Sequence, residues 1–223
     1  MERRTPIIRV KQFTAAYDGV VLLNDLSFDV YGGEVFVILG GSGCGKSTML
    51  KHMIALYQPA AGAILIDGED IVTAQGPRRL AILKKIGVMY QQGALFGSMT
   101  LLENVRLPLE EYTDLPNDAI DHIALMKLQV VGLGAAALKL PDEISGGMRK
   151  RAAIARAMAL DPQVLFLDEP SAGLDPITSA ELDRLIVSLS RNLSITFVVV
   201  APESPGIYTI ADRVIMLDKR VKA

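Results

Sequence analysis

The 223-residue sequence predicts an α/β fold: a parallel sheet covered on both faces, with a helical subdomain inserted into it. Three observations lead there. Strand-like and helix-like segments alternate along the chain. Several strands, Val35–Leu39 and Val164–Leu167 among them, are apolar throughout rather than at every second residue. Between residues 92 and 159 the alternation gives way to a purely helical texture. A strand with no polar face must be covered on both sides, as in a parallel sheet flanked by other layers.

Residues 7–39 read as β-rich. Ile7–Phe13, Val20–Leu23 and Leu26–Val30 are short apolar or alternating runs, separated by turn pairs at Asp18-Gly19, Asn24-Asp25 and Gly32-Gly33. Tyr17 stands just before the first pair. The run Val35–Leu39 leads into Gly40-Gly41-Ser42-Gly43-Cys44-Gly45-Lys46-Ser47-Thr48, and no Gly or Pro then occurs before Pro59, so a helix over Ser47–Tyr57 follows. Ala63–Gly68 reads as a strand closing in a turn, Arg78–Lys85 as a short basic helix and Ile86–Tyr90 as a strand that runs into Gln91-Gln92. Thr100-Leu101-Leu102-Glu103 is a capping-box pattern that starts a helix. A longer helix spans Pro116–Val131, with Gly132 as its stop. Ile144-Ser145-Gly146-Gly147-Met148 precedes a helix over Arg149–Ala159. Strand texture returns at Val164–Leu167, before Asp168-Glu169; a helix from about Pro176 to Leu193 and strands Ile195–Val200 and Val214–Leu217 complete the chain. The expected organisation is a single domain with its core in residues 1–91 and 160–223 and the helical subdomain in about 92–159.

Half of the residues are hydrophobic, enough for a substantial core, and 22% are charged. A formal net charge of −2 argues against a nucleic-acid-binding surface. No apolar stretch follows the charges of Met1-Glu2-Arg3-Arg4, so no signal peptide is expected. Apolar runs end after about five residues, against the roughly 20 that span a bilayer. The one cysteine excludes an internal disulfide and a cysteine metal cluster. These features describe a soluble, cytoplasmic chain that would need a partner to supply any membrane span.

The segment Gly40–Thr48 fits G-x-x-x-x-G-K-[ST], the phosphate-binding loop, between a strand and a helix as that motif requires. Its glycines let successive backbone N–H groups form a concave anion site, to which the helix N-terminus adds partial positive charge. Lys46 can reach the β- and γ-phosphates, and the Ser47 hydroxyl can ligate Mg²⁺. Cys44 lies beside the same helix N-terminus, where a thiolate is favoured, so nucleotide-protectable alkylation is an expectation. A small residue tolerated at a variable loop position is the plainer reading of it.

Four landmarks follow the loop in order: Gln91, Ser145-Gly146-Gly147, Asp168-Glu169 and Ala172-Gly173-Leu174-Asp175. Together with the loop they resemble the nucleotide-binding subunit of an ATP-binding cassette (ABC) transporter over nearly the whole chain. The resemblance implies a P-loop NTPase with a RecA-like parallel-sheet core, an N-terminal antiparallel β subdomain and an inserted helical subdomain. It implies ATP and Mg²⁺ as cofactors. Tyr17 would stack on adenine; Ser47, Asp168 and Gln91 would lie around the metal; and Glu169 would orient or deprotonate the attacking water. Gln91, with Gln92 as its neighbouring rival, would also pass motion between the lobes. Ser145-Gly146-Gly147 resembles the signature sequence, which closes on the γ-phosphate held by a second subunit. A homodimer follows, with Asp175 at its interface.

Gln91-Gln92-Gly93-Ala94-Leu95-Phe96 and Ile144-Ser145-Gly146-Gly147-Met148-Arg149 look like the ATPase of the MCE-associated (Mla-type) lipid transporters. That similarity implies transmembrane permease subunits, a periplasmic lipid-binding MCE-type component and a small cytoplasmic accessory subunit as partners, with no nucleic acid. The chain would sit on the cytoplasmic side of the inner membrane, with Ala94-Leu95-Phe96 near the permease groove. Two departures stand out. The family's switch histidine, which touches the γ-phosphate, is replaced by Pro202, and proline carries no donor. Neither His52 nor His122 is placed to stand in, so slow hydrolysis is expected. The chain also ends at Val221-Lys222-Ala223, where such subunits usually continue with a further strand and helix, so a docking tail is expected to be missing. Arg149-Lys150-Arg151 reads as a solvated helix start. The competing readings are an ATP-dependent dimerising regulatory module, a soluble ABC ATPase of DNA repair or translation, and an unrelated P-loop kinase; the last leaves Ser145-Gly146-Gly147 unexplained.

Overall fold

In the computed structural model, which describes residues 5–17, 20–203 and 206–218, the chain forms two sheets. Strands β3 (Val35–Gly40), β6 (Ile86–Met89), β7 (Val164–Asp168), β8 (Thr196–Ala201) and β9 (Arg213–Leu217) make a five-stranded sheet in the order β6-β7-β8-β3-β9. Every pairing in it is parallel. Strands β1 (Pro6–Tyr17), β2 (Val20–Tyr31), β4 (Ala61–Ile66) and β5 (Glu69–Asp70) make a four-stranded antiparallel sheet in the order β2-β1-β4-β5.

The uninterrupted apolar strands are explained by two cores. Along β3, Val35, Val37 and Leu39 join one cluster while Phe36 and Ile38 join another; β7 and β8 divide in the same way. The first cluster is completed by helices α3 (Leu101–Tyr112), α4 (Asn117–Val130), α5 (Gly146–Ala157) and α6 (Pro176–Leu193). The second is completed by β1, β2, β4 and α1 (Lys46–Met53), with Ile82 of α2 (Gly76–Leu83). Both faces of each central strand are therefore removed from water, and side chains at successive positions point to opposite cores.

Helix α3 starts where the capping box places it. The Thr100 hydroxyl accepts from the Glu103 N–H at 3.2 Å, and the Glu103 carboxylate accepts from the Thr100 N–H at 2.7 Å. Gly132, at φ 75°, follows α4 as expected. Arg106 of α3 pairs with Asp121 of α4, and Lys127 of α4 pairs with Asp161, tying the subdomain to the segment before β7.

Several boundaries differ from the sequence reading. Asn24-Asp25 does not break the chain: β2 runs through it, because Asp25 adopts φ 50° in a bulge and its N–H is taken by the Thr14 hydroxyl. The helix after the phosphate loop ends at Met53, not Tyr57. Ala55 turns left-handed at φ 58°, and the N–H groups of Leu56 and Tyr57 fold back to the Lys51 carbonyl, a helix stop made without glycine. The two-residue strand β5 and the short helix α7 (Ile207–Ile210) carry no sequence signal strong enough to have been read. The α5 helix starts at Gly146, earlier than Arg149. The Asp18-Gly19 turn, Met1–Arg4 and Val221–Ala223 lie outside the described residues.

Replacing the cap residue isolates its contribution. Thr100→Ala should cost about 1 kcal/mol of stability. The check is urea unfolding, with a lower midpoint at an unchanged slope.

Candidate nucleotide site

The parallel strands bring their carboxyl ends to one rim of the sheet. Asp168 at the end of β7 is in register with Val200 of β8, which is in register with Ile38 of β3. The phosphate loop leaves β3 two residues further on. Its first glycine cannot be replaced: Gly40 lies at φ 155°, and a Cβ there would meet the Leu217 carbonyl oxygen and the Cys44 sulfur, each at 2.4 Å. Lys46 is only 7% exposed, and its ammonium lies over the loop, donating to the carbonyls of Gly40 at 2.8 Å and Gly41 at 3.0 Å. Gly41, Ser42 and Gly43 line the exposed outer side of the turn, and Gly45 precedes α1. Cys44 points the other way: it is 5% exposed and belongs to the core, so ready alkylation is not expected after all.

Asp168 faces this loop, and Glu169 follows it in the chain. The Ser47 hydroxyl donates to Asp168 Oδ1 at 3.2 Å. Desolvation holds the Asp168 pKa above the ordinary carboxylate range; the Ser47 bond and the nearby Lys51, Lys46 and Lys150 act against that rise. Glu169 takes the left-handed value φ 46°, and its N–H bonds the Val200 carbonyl at 2.8 Å, which turns the side chain off the strand axis. Gln91, just beyond β6, donates its Nε2 to Glu169 Oε2 at 2.9 Å. Gln92 makes no such bond to Glu169 among the described residues. A hydroxyl and a carboxylate side by side form the hard oxygen donor set that Mg²⁺ prefers, so Ser47 and Asp168 fit that ion.

Ser145 caps α5, its hydroxyl accepting from the Met148 N–H at 3.2 Å. Gly147 packs onto α6 so closely that a Cβ would lie 2.3 Å from Thr178 Cγ2. Asp175 caps α6, accepting from the Thr178 hydroxyl and from the N–H groups of Ile177 and Thr178; its carboxyl is held low, first by the Thr178 hydroxyl. Tyr17 ends β1 half-exposed, edge-on to Tyr57 at 5.8 Å and to His52 at 6.2 Å. His52 is buried, shares a bond with the Thr48 carbonyl and packs on Phe13, as a structural histidine would. Pro202 follows β8 directly and lines a cleft with Glu169, Ser171 and Asp183.

Sequence reasoning missed three groups. Tyr57 joins the Tyr17 cluster, although it lies beyond the helix end. Lys150, read as solvated, is 7% exposed and donates to the Gln91 backbone carbonyl. Arg156 donates to the carbonyls of Gly93 and Ala94 at 3.0 and 2.8 Å. No local signal marked the two cations: six residues apart on one helix, they stand about a third of a turn from each other around its axis.

Residues 23–172 match the ABC transporter family. The chain belongs to that family. It is 43% identical over 213 residues to the probable ribonucleotide transport ATP-binding protein mkl of Mycobacterium leprae, covering 96% of this chain and 61% of that protein. It thus spans about three fifths of that relative. To the intermembrane phospholipid transport system ATP-binding protein MlaF of Haemophilus influenzae it is 40% identical, covering 97% of this chain and 83% of MlaF. Among solved structures, cbiO1 from Clostridium perfringens, part of the cbiONQ ABC transporter complex, superposes with a TM-score of 0.88 at 30% identity, covering 95% of this chain and 84% of that one. A dimeric post-hydrolysis state of the ATP-binding cassette MJ0796 bound to ADP and Pi gives 0.84 at 31% identity, covering 94% of each chain. The ABC cassette fold is thereby shown: a parallel core with antiparallel β and helical subdomains.

A half-buried, partly desolvated carboxylate without a cation should be costly. Above its raised folded pKa, ionised Asp168 destabilises the fold, and that cost lessens as pH falls toward the unfolded value. Asp168→Asn should therefore raise the melting temperature at pH 7 in EDTA, while abolishing the extra stabilisation that Mg²⁺ adds to bound ATP. Differential scanning fluorimetry with and without Mg²⁺-ATP reads both effects.

Proposed function

We propose that the chain binds and hydrolyses ATP as a homodimer and powers lipid transport by a membrane permease in a bacterial envelope. The carrying observation is that the Ser47–Asp168 and Gln91–Glu169 bonds lie side by side at the carboxyl rim of the sheet, next to the phosphate loop. Lys46 and the backbone N–H groups of Gly40–Thr48 hold the phosphates, and Tyr17 supplies an aromatic edge for the adenine. Ser47 and Asp168, with Gln91 nearby, would hold Mg²⁺, which would neutralise charge on the phosphates when bound. Glu169, steered by the Gln91 amide, orients the attacking water and accepts its proton. Ser145-Gly146-Gly147, with free N–H groups at the start of α5, meets the partner's γ-phosphate, so each chain completes the other's site.

The lipid assignment follows MlaF, which the chain matches over more of its length than it matches mkl. Among the described residues no helix is long and apolar enough to cross a membrane, so a permease must supply the span. Its docking place is the apolar groove lined by Leu80, Leu83, Pro108, Tyr112 and Leu160. Arg156 lines the same groove and holds Ala94, next to Leu95 and the half-exposed Phe96. The remaining partners are an MCE-type periplasmic component and a small cytoplasmic subunit, with the chain on the cytoplasmic face of the inner membrane.

Pro202 sets the rate. It lines one cleft with Glu169 and falls at the sequence position where the family's switch histidine would contact the γ-phosphate; loss of one such donor slows hydrolysis about 10²-fold. Mg²⁺-ATP turnover of the purified homodimer should be slow, absent in Glu169→Gln and faster in Pro202→His. Turnover unchanged by Pro202→His would overturn the rate assignment, and activity surviving in Glu169→Gln would overturn the role of that carboxylate. With the permease in vesicles, phospholipid rather than a ribonucleotide should stimulate hydrolysis.

A further inference from the structure

Lys150 is a charged group that the proposed chemistry does not use. It lies in the second turn of α5, 7% exposed, and its ammonium donates to a peptide carbonyl rather than to a carboxylate. Removing an ammonium from water costs several kcal/mol unless its surroundings compensate. Here burial pushes the Lys150 pKa down, while Glu169 and Asp168 draw it back up. The cation is thus close enough to both carboxylates to feel them, yet its hydrogen bond goes to Gln91.

The choice of acceptor gives Lys150 its effect. The Gln91 carbonyl belongs to the residue whose side-chain amide bonds Glu169 at 2.9 Å, and Glu169 is itself strapped to Val200 through its N–H. Arg156, further along the same helix, holds the next carbonyls of this segment at Gly93 and Ala94. Helix α5 therefore grips the backbone from 91 to 94, and Lys150 grips it at the residue that touches Glu169. At the start of that helix, about 7 Å from Lys150 at 1.5 Å per residue, is the Ser145-Gly146-Gly147 turn. A single rigid helix thus carries both that turn and the anchor of Gln91.

We propose that Lys150 is a positioning residue of the ATPase: it transmits the placement of the Ser145-Gly146-Gly147 turn to Gln91 and through it to Glu169. The inference rests on the reading that this turn meets the partner's nucleotide while Gln91 and Glu169 serve the chain's own. Lys150 then links the two sites of the dimer, since whatever seats the turn on one nucleotide also seats the Gln91–Glu169 pair on the other.

The test compares Lys150→Met, which keeps a long buried side chain without a donor, with Lys150→Arg, which keeps the charge and the donors. In the purified homodimer, Lys150→Met should lower kcat about tenfold or more with KM for ATP within about twofold of the parent. Amide hydrogen exchange of residues 90–97 should speed up in Lys150→Met while the β3, β7 and β8 amides keep their protection. Lys150→Arg should restore both readouts toward the parent. The proposal is overturned by unchanged kcat in Lys150→Met, whatever the exchange, or by equal losses in the Met and Arg variants with a lowered melting temperature. If the parent itself does not hydrolyse ATP, the proposed function fails separately; exchange at 90–97 then decides the tie, and unchanged rates there refute it.

Discussion

The fold depends on one constraint: strands β3, β7 and β8 are buried on both faces. Their side chains alternate between two separate cores, so no polar group can sit along them without losing its water. Polarity can enter only at the strand ends. The parallel arrangement puts all carboxyl ends on one rim, and matched register brings Asp168, Val200 and Ile38 to the same level. The phosphate loop, the Asp168-Glu169 pair and Pro202 are neighbours for that reason, although more than 150 residues separate Gly40 from Pro202.

Charge at this rim is concentrated and incompletely watered. Asp168 is desolvated, Lys46 and Lys150 are nearly buried, and Arg156 is pushed below its usual range, first by burial. None of the three cations relies on a close carboxylate partner for its hydrogen bonds. Each is satisfied by peptide carbonyls: Gly40 and Gly41 for Lys46, Gln91 for Lys150, Gly93 and Ala94 for Arg156. The loop at Gly40-Gly41 and the segment 91–94 are thereby fixed by long side chains from α1 and α5, while Asp168 and Glu169 accept from Ser47 and Gln91 instead.

What was legible in the sequence is what is local. The phosphate loop, the capping box at Thr100, the apolar strands and the Asp168-Glu169 strand end each declare themselves within ten residues or fewer. Their joint order then identified the family and fold. What stayed illegible depends on distant contacts. Lys150 looks like one basic residue among three until the 59-residue separation from Gln91 is closed by folding. The β2 strand continues through Asn24-Asp25 only because Thr14 on the neighbouring strand takes the orphaned N–H. The early stop of α1 depends on Ala55 turning left-handed, with Arg79 of another helix donating to its carbonyl. Propensity at those positions was overruled by partners that the local pattern does not contain.

The packing of Cys44 has a consequence for redox chemistry. Its sulfur fills the space that a Cβ on Gly40 would occupy and joins the core beneath the loop. A thiol there is shielded from peroxide, glutathione and metal ions, which attack exposed thiolates. Oxidants could reach it only if the loop lifted from α1, which would already break the bonds from Lys46 to the Gly40 and Gly41 carbonyls. The chain therefore keeps its single thiol where oxidation follows loss of the fold rather than causing it.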